Sequence, residues 1–405
     1  MRYAPLVERI AGKGSRAWDV HFRAVELAEE GRDVIFLSIG DPDFDTPRPI
    51  VDTAVDALRA GRTHYTAMEG ILPLRRAIAA RWSRLTGQNV DPDRVVVMSG
   101  AQCALFSSIM CLAGPGDEVV VPEPMYVTYE AVVGATGARL VNVPLKGERG
   151  FHLEARDLAA AMTPQSRVVL LNTPHNPTGA VLSREELEGV AEVCRRHDLW
   201  LVSDEVYATL TYERPHLSPA VLPGMAARTV VVDSLSKSHA MAGWRLGWAI
   251  APGKLPVHLA NFALCMLYGV PPFIQDAAVT AVSRDFEEVK AMRRAFRERR
   301  DLVVDRVNRM PLLGCPRPEG SMFLMVDVRS TGVSSAAFAV RLLEEEGLSV
   351  LPMDGFGPSG EGYVRWSLSA PLDLLQEACN RLERFVRRLA AEGPRRATGA
   401  SSATE

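Results

Sequence analysis

Four things are scarce in this sequence, and each scarcity removes a class of protein. Cysteine accounts for six of 405 residues (Cys103, Cys111, Cys194, Cys265, Cys315, Cys379), scattered and without a CxxC pair. In so long a chain that argues against a disulfide framework and suits reduced thiols in a cytoplasmic protein. Charge of one sign is missing: 46 Lys+Arg stand against 49 Asp+Glu, for a net charge of −3. With no basic helix and no zinc spacing, nothing points to a nucleic-acid partner or a metal. The N-terminal stretch MRYAPLVERIAGKGSRAWDVHF mixes charges throughout and lacks an apolar signal core. One uncharged run, Val95–Gly116, is long enough to span a membrane. It is interrupted by Ser99-Gly100, Gln102, Ser107-Ser108 and Gly114-Pro115-Gly116, so a strand, a turn and a buried helix explain it better than a span.

What remains is ordinary globular chemistry, with 47% apolar and 23% charged residues. The length calls for more than one core. Short β-branched runs alternate with helical stretches from about residue 94 to 250, which predicts an α/β fold with a mostly parallel sheet between helices. Helices are expected over 48–60, 71–85, 154–161 and 183–197. A long helix, 285–308, leads out of this region to an α+β portion with helices 335–346 and 371–391. The last residues, GPRRATGASSATE, have the composition of a disordered tail.

The densest chemistry lies at 232–248, where the strand-like run Thr229-Val230-Val231-Val232 gives way to Ser234, Ser236 and Lys237, with Arg245 set between Gly243 and Gly247. Small hydroxyls and glycines let a chain close on phosphate. Lys237 is therefore a phosphate contact, a carbonyl-binding amine, or a solvated turn lysine. Ser99-Gly100-Ala101-Gln102 joins a strand to a helix, which points free N–H groups outward. Asp204 ends a buried strand where open α/β sheets bind ligands, although a helix N-cap is the common alternative. Gly40 begins a Gly-Asp-Pro turn, either plain or close to a ligand. Tyr65 and Tyr126 are stacking or packing aromatics. Asn172-Thr-Pro-His-Asn176-Pro-Thr-Gly179 is a rigid loop.

Together, Asn-Pro-Thr-Gly at 176–179, Asp-Glu-Val-Tyr at 204–207, Ser-Leu-Ser-Lys at 234–237 and Gly-Trp-Arg-Leu-Gly-Trp at 243–248 resemble the pyridoxal-phosphate aminotransferases of class I/II, the aspartate aminotransferase superfamily. The resemblance covers about residues 25–390. It implies a large domain (46–284) with a seven-stranded sheet, a small domain (285–392) joined by the N-terminal segment (1–45), and a tail (393–405). It implies pyridoxal 5′-phosphate, cycling with pyridoxamine 5′-phosphate, as cofactor. Lys237 would hold the cofactor aldehyde and shuttle the proton. Asp204 would keep the pyridine nitrogen protonated, while Asn176 and Tyr207 would bond the phenolate oxygen. Tyr126 would stack on the ring, and Ser234, Ser236, Arg245 and the backbone at Gly100, Ala101 and Gln102 would hold the phosphate. Tyr65 matches a tyrosine lent to the neighbouring subunit, implying a homodimer with shared sites. Arg365, beside Gly40 and with Asn176, matches the arginine that forks onto the substrate carboxylate.

Further stretches, among them Ser236–Met241 and Ala263–Gly269, resemble bacterial arginine–pyruvate transaminases. This implies a guanidino amino acid, or a cyclic derivative such as enduracididine, exchanging its amino group with a 2-oxo acid by a ping-pong route. A guanidinium calls for a carboxylate, and Asp19 and Glu69 are the candidates. The rivals are a lyase or replacement enzyme on the same fold, an aromatic or broad-specificity aminotransferase, and a pyridoxal-binding regulator. The regulator would need a DNA-binding module for which the first 35 residues leave no room.

Overall fold

The structure is a computed structural model and describes residues 1–11 and 18–392. The chain begins with helices α1 (Leu6–Ala11) and α2 (Asp19–Glu29), strand β1 (Ile35–Phe36), and helices α3 (Arg48–Arg59) and α4 (Leu72–Thr86). Alternation follows: β2 (Val95–Met98), α5 (Gly100–Leu112), β3 (Glu118–Glu123), α6 (Thr128–Thr136), β4 (Arg139–Pro144), α7 (Ala155–Ala160), β5 (Ser166–Asn172), α8 (Arg184–Arg196), β6 (Trp200–Asp204), β7 (Thr229–Ser234) and β8 (Gly247–Ile250). After α9 (Leu255–Met266), α10 (Pro272–Ser283) and α11 (Glu287–Val307) come β9 (Phe323–Asp327), α12 (Ser335–Glu346), β10 (Leu348–Ser349), β11 (Leu351–Pro352), β12 (Tyr363–Ser367) and α13 (Leu372–Glu392).

The central sheet has seven strands in the order β2-β8-β7-β6-β5-β3-β4. All neighbours are parallel except at β8, which runs antiparallel to both β2 and β7. Its strands are apolar on both sides because helices cover both faces. Alternation sorts them: Val119, Val121, Val168 and Leu170 pack with α5 and α6, whereas Val120, Val169 and Leu171 face the side of α8. Local signals set the helix ends. Ser183 and Glu186 cap α8 reciprocally, with N–H to side-chain oxygen distances of 2.6 and 3.2 Å, and α4 stops at Gly87 in the left-handed region.

A second core joins α2, α11, α12 and α13 to the antiparallel sheet β11-β12-β9 and the parallel pair β1–β10, around the fully buried Trp366. The segment 1–45 divides between the two cores. Residues 20–37 enter the second, but α1 lies on α6, with Arg9 Nε donating to the Gly134 carbonyl at 2.9 Å. The expectation that all of 1–45 belongs with the small domain is corrected to that extent: α1 lies on α6 of the large one, with its Leu6, Val7 and Ile10 side chains left exposed. The expected tail lies outside the described residues. No helix among the described residues is long and apolar enough to cross a membrane.

One ion pair ties the turn after β1 to α11. The Arg299 guanidinium forks onto the Asp43 carboxylate at 2.6 and 2.9 Å, donates to the Leu368 carbonyl and lies 4.8 Å from the Phe44 ring centre. Removing one member strands the other. Arg299→Met should therefore cost about 3 kcal/mol, read as a lower urea midpoint. A midpoint within error of the parent protein would show that this clamp carries no stability.

Candidate active site

Five strands of the central sheet deliver their carboxyl ends to one cleft of about 230 Å³. β2 turns into α5 at Ser99-Gly100, β3 leads to Tyr126, β5 ends at Asn172, β6 at Asp204, and β7 at Ser234. The far wall comes from the second core, as Gly40, Phe323 and Arg365.

Lys237 is mostly enclosed, and its ammonium donates to the Gly40 carbonyl at 2.5 Å. Burial lowers its pKa to about 8, against the pull of Asp41 and with help from the positive charges of Arg365 and Arg245. A usable fraction of the amine is thus neutral near physiological pH. Gly40 could not be another residue without rearrangement, since a Cβ there would enter the Phe323 ring.

At one end of the cleft Arg245 adopts a left-handed backbone (φ 54°), and its Nη1 donates to the Ala242 carbonyl at 2.8 Å. Its guanidinium lies where a side chain on Gly100 would go, and a Cβ on Gly247 would press on the backbone of Gly100 and Ala101. The two glycines thus bring an arginine, the first turn of α5 and the buried hydroxyls of Ser234 and Ser236 together. That is an anion cradle.

Elsewhere in the cleft, Asp204 is buried and its pKa is raised to about 6 by burial, despite the Tyr129 hydroxyl donating to Oδ2 at 2.7 Å and the Val206 N–H to Oδ1 at 3.3 Å. Tyr129 also stands edge-on to Tyr126, with centroids 5.7 Å apart. Asn172 fixes the neighbourhood by donating to the Asp204 carbonyl at 2.9 Å and accepting the Asn176 N–H at 2.7 Å. Burial drives the Tyr207 hydroxyl well above the ordinary phenol range, with Asn176 hydrogen-bonded to it and opposing that rise.

Arg365 is only 2% exposed. It lies between Phe323 and Phe356, 4.1 and 5.0 Å from their ring centres, and donates to Asn176 Oδ1 at 3.1 Å and the Ser38 carbonyl at 2.8 Å. Its Nε has no partner, and among the described residues no carboxylate pairs with it. Burial lowers its pKa to about 10.

The structure therefore gathers Gly40, Gly100, Ala101, Gln102, Tyr126, Asn176, Asp204, Tyr207, Ser234, Ser236, Lys237, Arg245 and Arg365 around one space, all but Gly100 as cleft lining. Tyr65 is 81% exposed, with its ring 4.9 Å from that of Tyr268, and is not part of this chain's cleft. Asp19 and Glu69 require correction as guanidinium partners within one chain. Asp19 is exposed in the first turn of α2, where a carboxylate complements the helix dipole. Glu69 faces Arg75 at 3.7 Å. Among the described residues, Asp204 is the one acid lining the cleft. Sequence reasoning missed Tyr129, Asn172, Phe323 and Trp18, all four of which line the cleft. The three-residue step from Tyr126 to Tyr129, one turn of helix, was the available signal for Tyr129.

These donors fit pyridoxal phosphate group by group. A cationic cradle of N–H and O–H donors suits its phosphate, a buried carboxylate its ring nitrogen, Asn176 and Tyr207 its phenolate, and a lysine of lowered pKa its aldehyde. The unpaired Arg365 leaves a place for a further carboxylate.

Comparison with known proteins agrees with this geometry. The model of the family "Aminotransferase class I and II" matches residues 32–382. The chain is 54% identical over 382 residues to the arginine–pyruvate transaminase of Pseudomonas aeruginosa, covering 94% of this chain and 97% of that one. It is 37% identical to an aromatic-amino-acid aminotransferase of Thermococcus litoralis, over 89% and 94% of the two chains. Among solved structures, the aspartate aminotransferase of Rhizobium meliloti superposes with a TM-score of 0.91 at 32% identity, covering 96% of this chain and 99% of that one. An α/β fold with these groups at the carboxyl edge of its sheet, matched along nearly all its length, places the chain in the class I and II aminotransferases, enzymes that use pyridoxal phosphate and cycle it with pyridoxamine phosphate.

Proposed function

We propose that this transaminase takes its amino group from arginine or a related guanidino acid and passes it to a 2-oxo acid in two successive half-reactions, the first product leaving before the acceptor binds. The observation that carries the reading of the site is Arg365, a buried guanidinium without a carboxylate of its own, in the same cleft as an amine of lowered pKa. A substrate α-carboxylate completes Arg365 as a bidentate pair. That holds the substrate Cα on the Lys237 side of the cleft.

Pyridoxal phosphate, when bound, supplies an electron sink for the pair released as the Cα proton leaves. Lys237 anchors it and afterwards carries that proton as general base and then acid. Arg245, Ser234, Ser236 and the α5 N-terminus hold the phosphate. Asp204 holds the ring-nitrogen proton, and Tyr129 keeps Asp204 ionised. Asn176 and Tyr207 serve the phenolate oxygen, and Asn176 also braces Arg365. Tyr126 covers the ring.

The high identity to an arginine–pyruvate transaminase supports the guanidino substrate. With Asp19 and Glu69 outside the cleft, its lining offers the Trp18 indole, on whose face a guanidinium can stack. The exposed Tyr65, Tyr268, Leu264 and Met266 support a homodimer in which Tyr65 reaches the cofactor phosphate of the second subunit.

Mixing the pyridoxal form with L-arginine should convert its visible spectrum to that of pyridoxamine phosphate and release 2-oxo-5-guanidinovalerate by mass. A response to aromatic amino acids or enduracididine but not to arginine would reassign the side-chain pocket, and product without pyridoxamine phosphate would indicate a lyase.

Lys237→Ala should abolish this conversion. In the parent apo-protein, the rate of cofactor capture should rise about tenfold per pH unit below 8 and level off above it, because only the neutral amine attacks an aldehyde. A flat profile would refute the lowered Lys237 pKa.

Tyr129→Phe removes a donor to the Asp204 carboxylate, so the carboxyl pKa must rise further. The pH below which cofactor is released should move upward, with affinity at neutral pH weaker by about tenfold. An unmoved midpoint would remove Tyr129 from this role.

A further inference from the structure

A second enclosed space, of about 430 Å³, lies behind the catalytic loop between α4, the 205–221 connection and the start of α11. Its floor is made of residues beside those that line the cleft. Glu205 follows Asp204, Asp233 precedes Ser234, and His239 stands two residues after Lys237. Asp233 and Ser234 are neighbours within β7 and so face opposite ways, one toward each space.

The acids of this floor are already engaged. Glu205 accepts from the Ser203 and Ser218 hydroxyls at 2.9 and 2.6 Å and faces His216 Nε2 at 2.8 Å. Asp233 accepts the Ser234 N–H at 2.7 Å, and burial raises its pKa to about 7, so near neutrality it carries less than a full charge.

Two donors are not engaged. The Arg81 guanidinium makes no hydrogen bond or ion pair with any described residue, and its charge reaches Asp233 and His239 only through space. The Thr209 hydroxyl is buried without a partner. Arg284, Lys290 and Arg293 add positive charge at the mouth, where Asp285 is the acid among the lining residues. Of these, Arg293 donates to the Thr211 carbonyl and Lys290 stands 4.0 Å from Glu287. Between donors and mouth the walls are apolar, formed by Trp82, Val221, Phe286 and Val289.

We propose that this cavity is a second ligand site, distinct from the catalytic cleft, for a small organic carboxylate with an apolar body. The carboxylate pairs with the Arg81 guanidinium, and the body fills the space between Trp82 and Val289. Charge complementarity selects an anion, and the enclosed volume limits it to a small molecule. An occupant there withdraws the Arg81 charge from Asp233, which holds the backbone of the phosphate-binding Ser234.

The probe is 3-(4-bromophenyl)propionate, soaked into crystals of the cofactor-loaded enzyme. Bromine anomalous density between Trp82 and Val289, with the carboxylate at Arg81, is the expected result. A soak series on Arg81→Met should show an affinity for this site weaker by about tenfold or more. Val289→Trp, which fills the space and leaves Arg81 in place, should remove the peak. Density in the catalytic cleft alone, no density, equal affinity in Arg81→Met, or equal binding of 3-(4-bromophenyl)propylamine would each overturn the proposal.

Discussion

A guanidinium taken out of water without a carboxylate is among the more expensive things a fold can hold. Arg365 is tolerated because its environment was built around it. Two phenylalanine rings offer their faces, and Ser38 and Asn176 accept two of its N–H groups. Those four residues come from β9, the 354–356 turn, the segment after β1 and the loop after β5. One buried cation thus draws both cores to a common wall. Its remaining unpaired donor is the affinity the fold keeps for a ligand rather than satisfying itself.

The large domain is polarised by the same logic. A cation, amide dipoles, a carboxylate and an amine share one cleft, the amine with its pKa lowered by burial and by the two arginines. No single group is unusual. Their separation within one low-dielectric space lets each keep a distinct protonation state.

Much of this was legible in the sequence because it is carried by short contiguous stretches. Strand-to-loop transitions located Lys237, Asp204 and the Ser99–Gln102 junction, since a run of β-branched residues ending in small polar ones has few other meanings. The resemblance added the roles. What stayed hidden depends on partners distant along the chain. Tyr129 looks like any aromatic in an apolar helix until Asp204, from another strand, is brought against it. Trp18 lines the cleft only because its segment folds back onto the core that holds Phe356 and Tyr126. Asp19 and Glu69 do not line this chain's cleft, and a carboxylate's sequence position says nothing about whether a helix dipole or a nearby arginine engages it. The departure of α1 from the rest of the first 45 residues also follows from a long-range contact, with α6.

The threading of the central sheet has a bearing on how the protein is made. β2 is an edge strand whose one neighbour among the described strands is β8, and β8 slots between β2 and β7. On a ribosome, β2 and the helix behind it emerge early and must wait, unpaired on that side, for a strand that comes after every other member of the sheet. Non-local pairings of this kind close late. The amide cradle at the head of α5 therefore acquires its counter-wall in the last joining event of the sheet, the same one that brings Arg245 over Gly100.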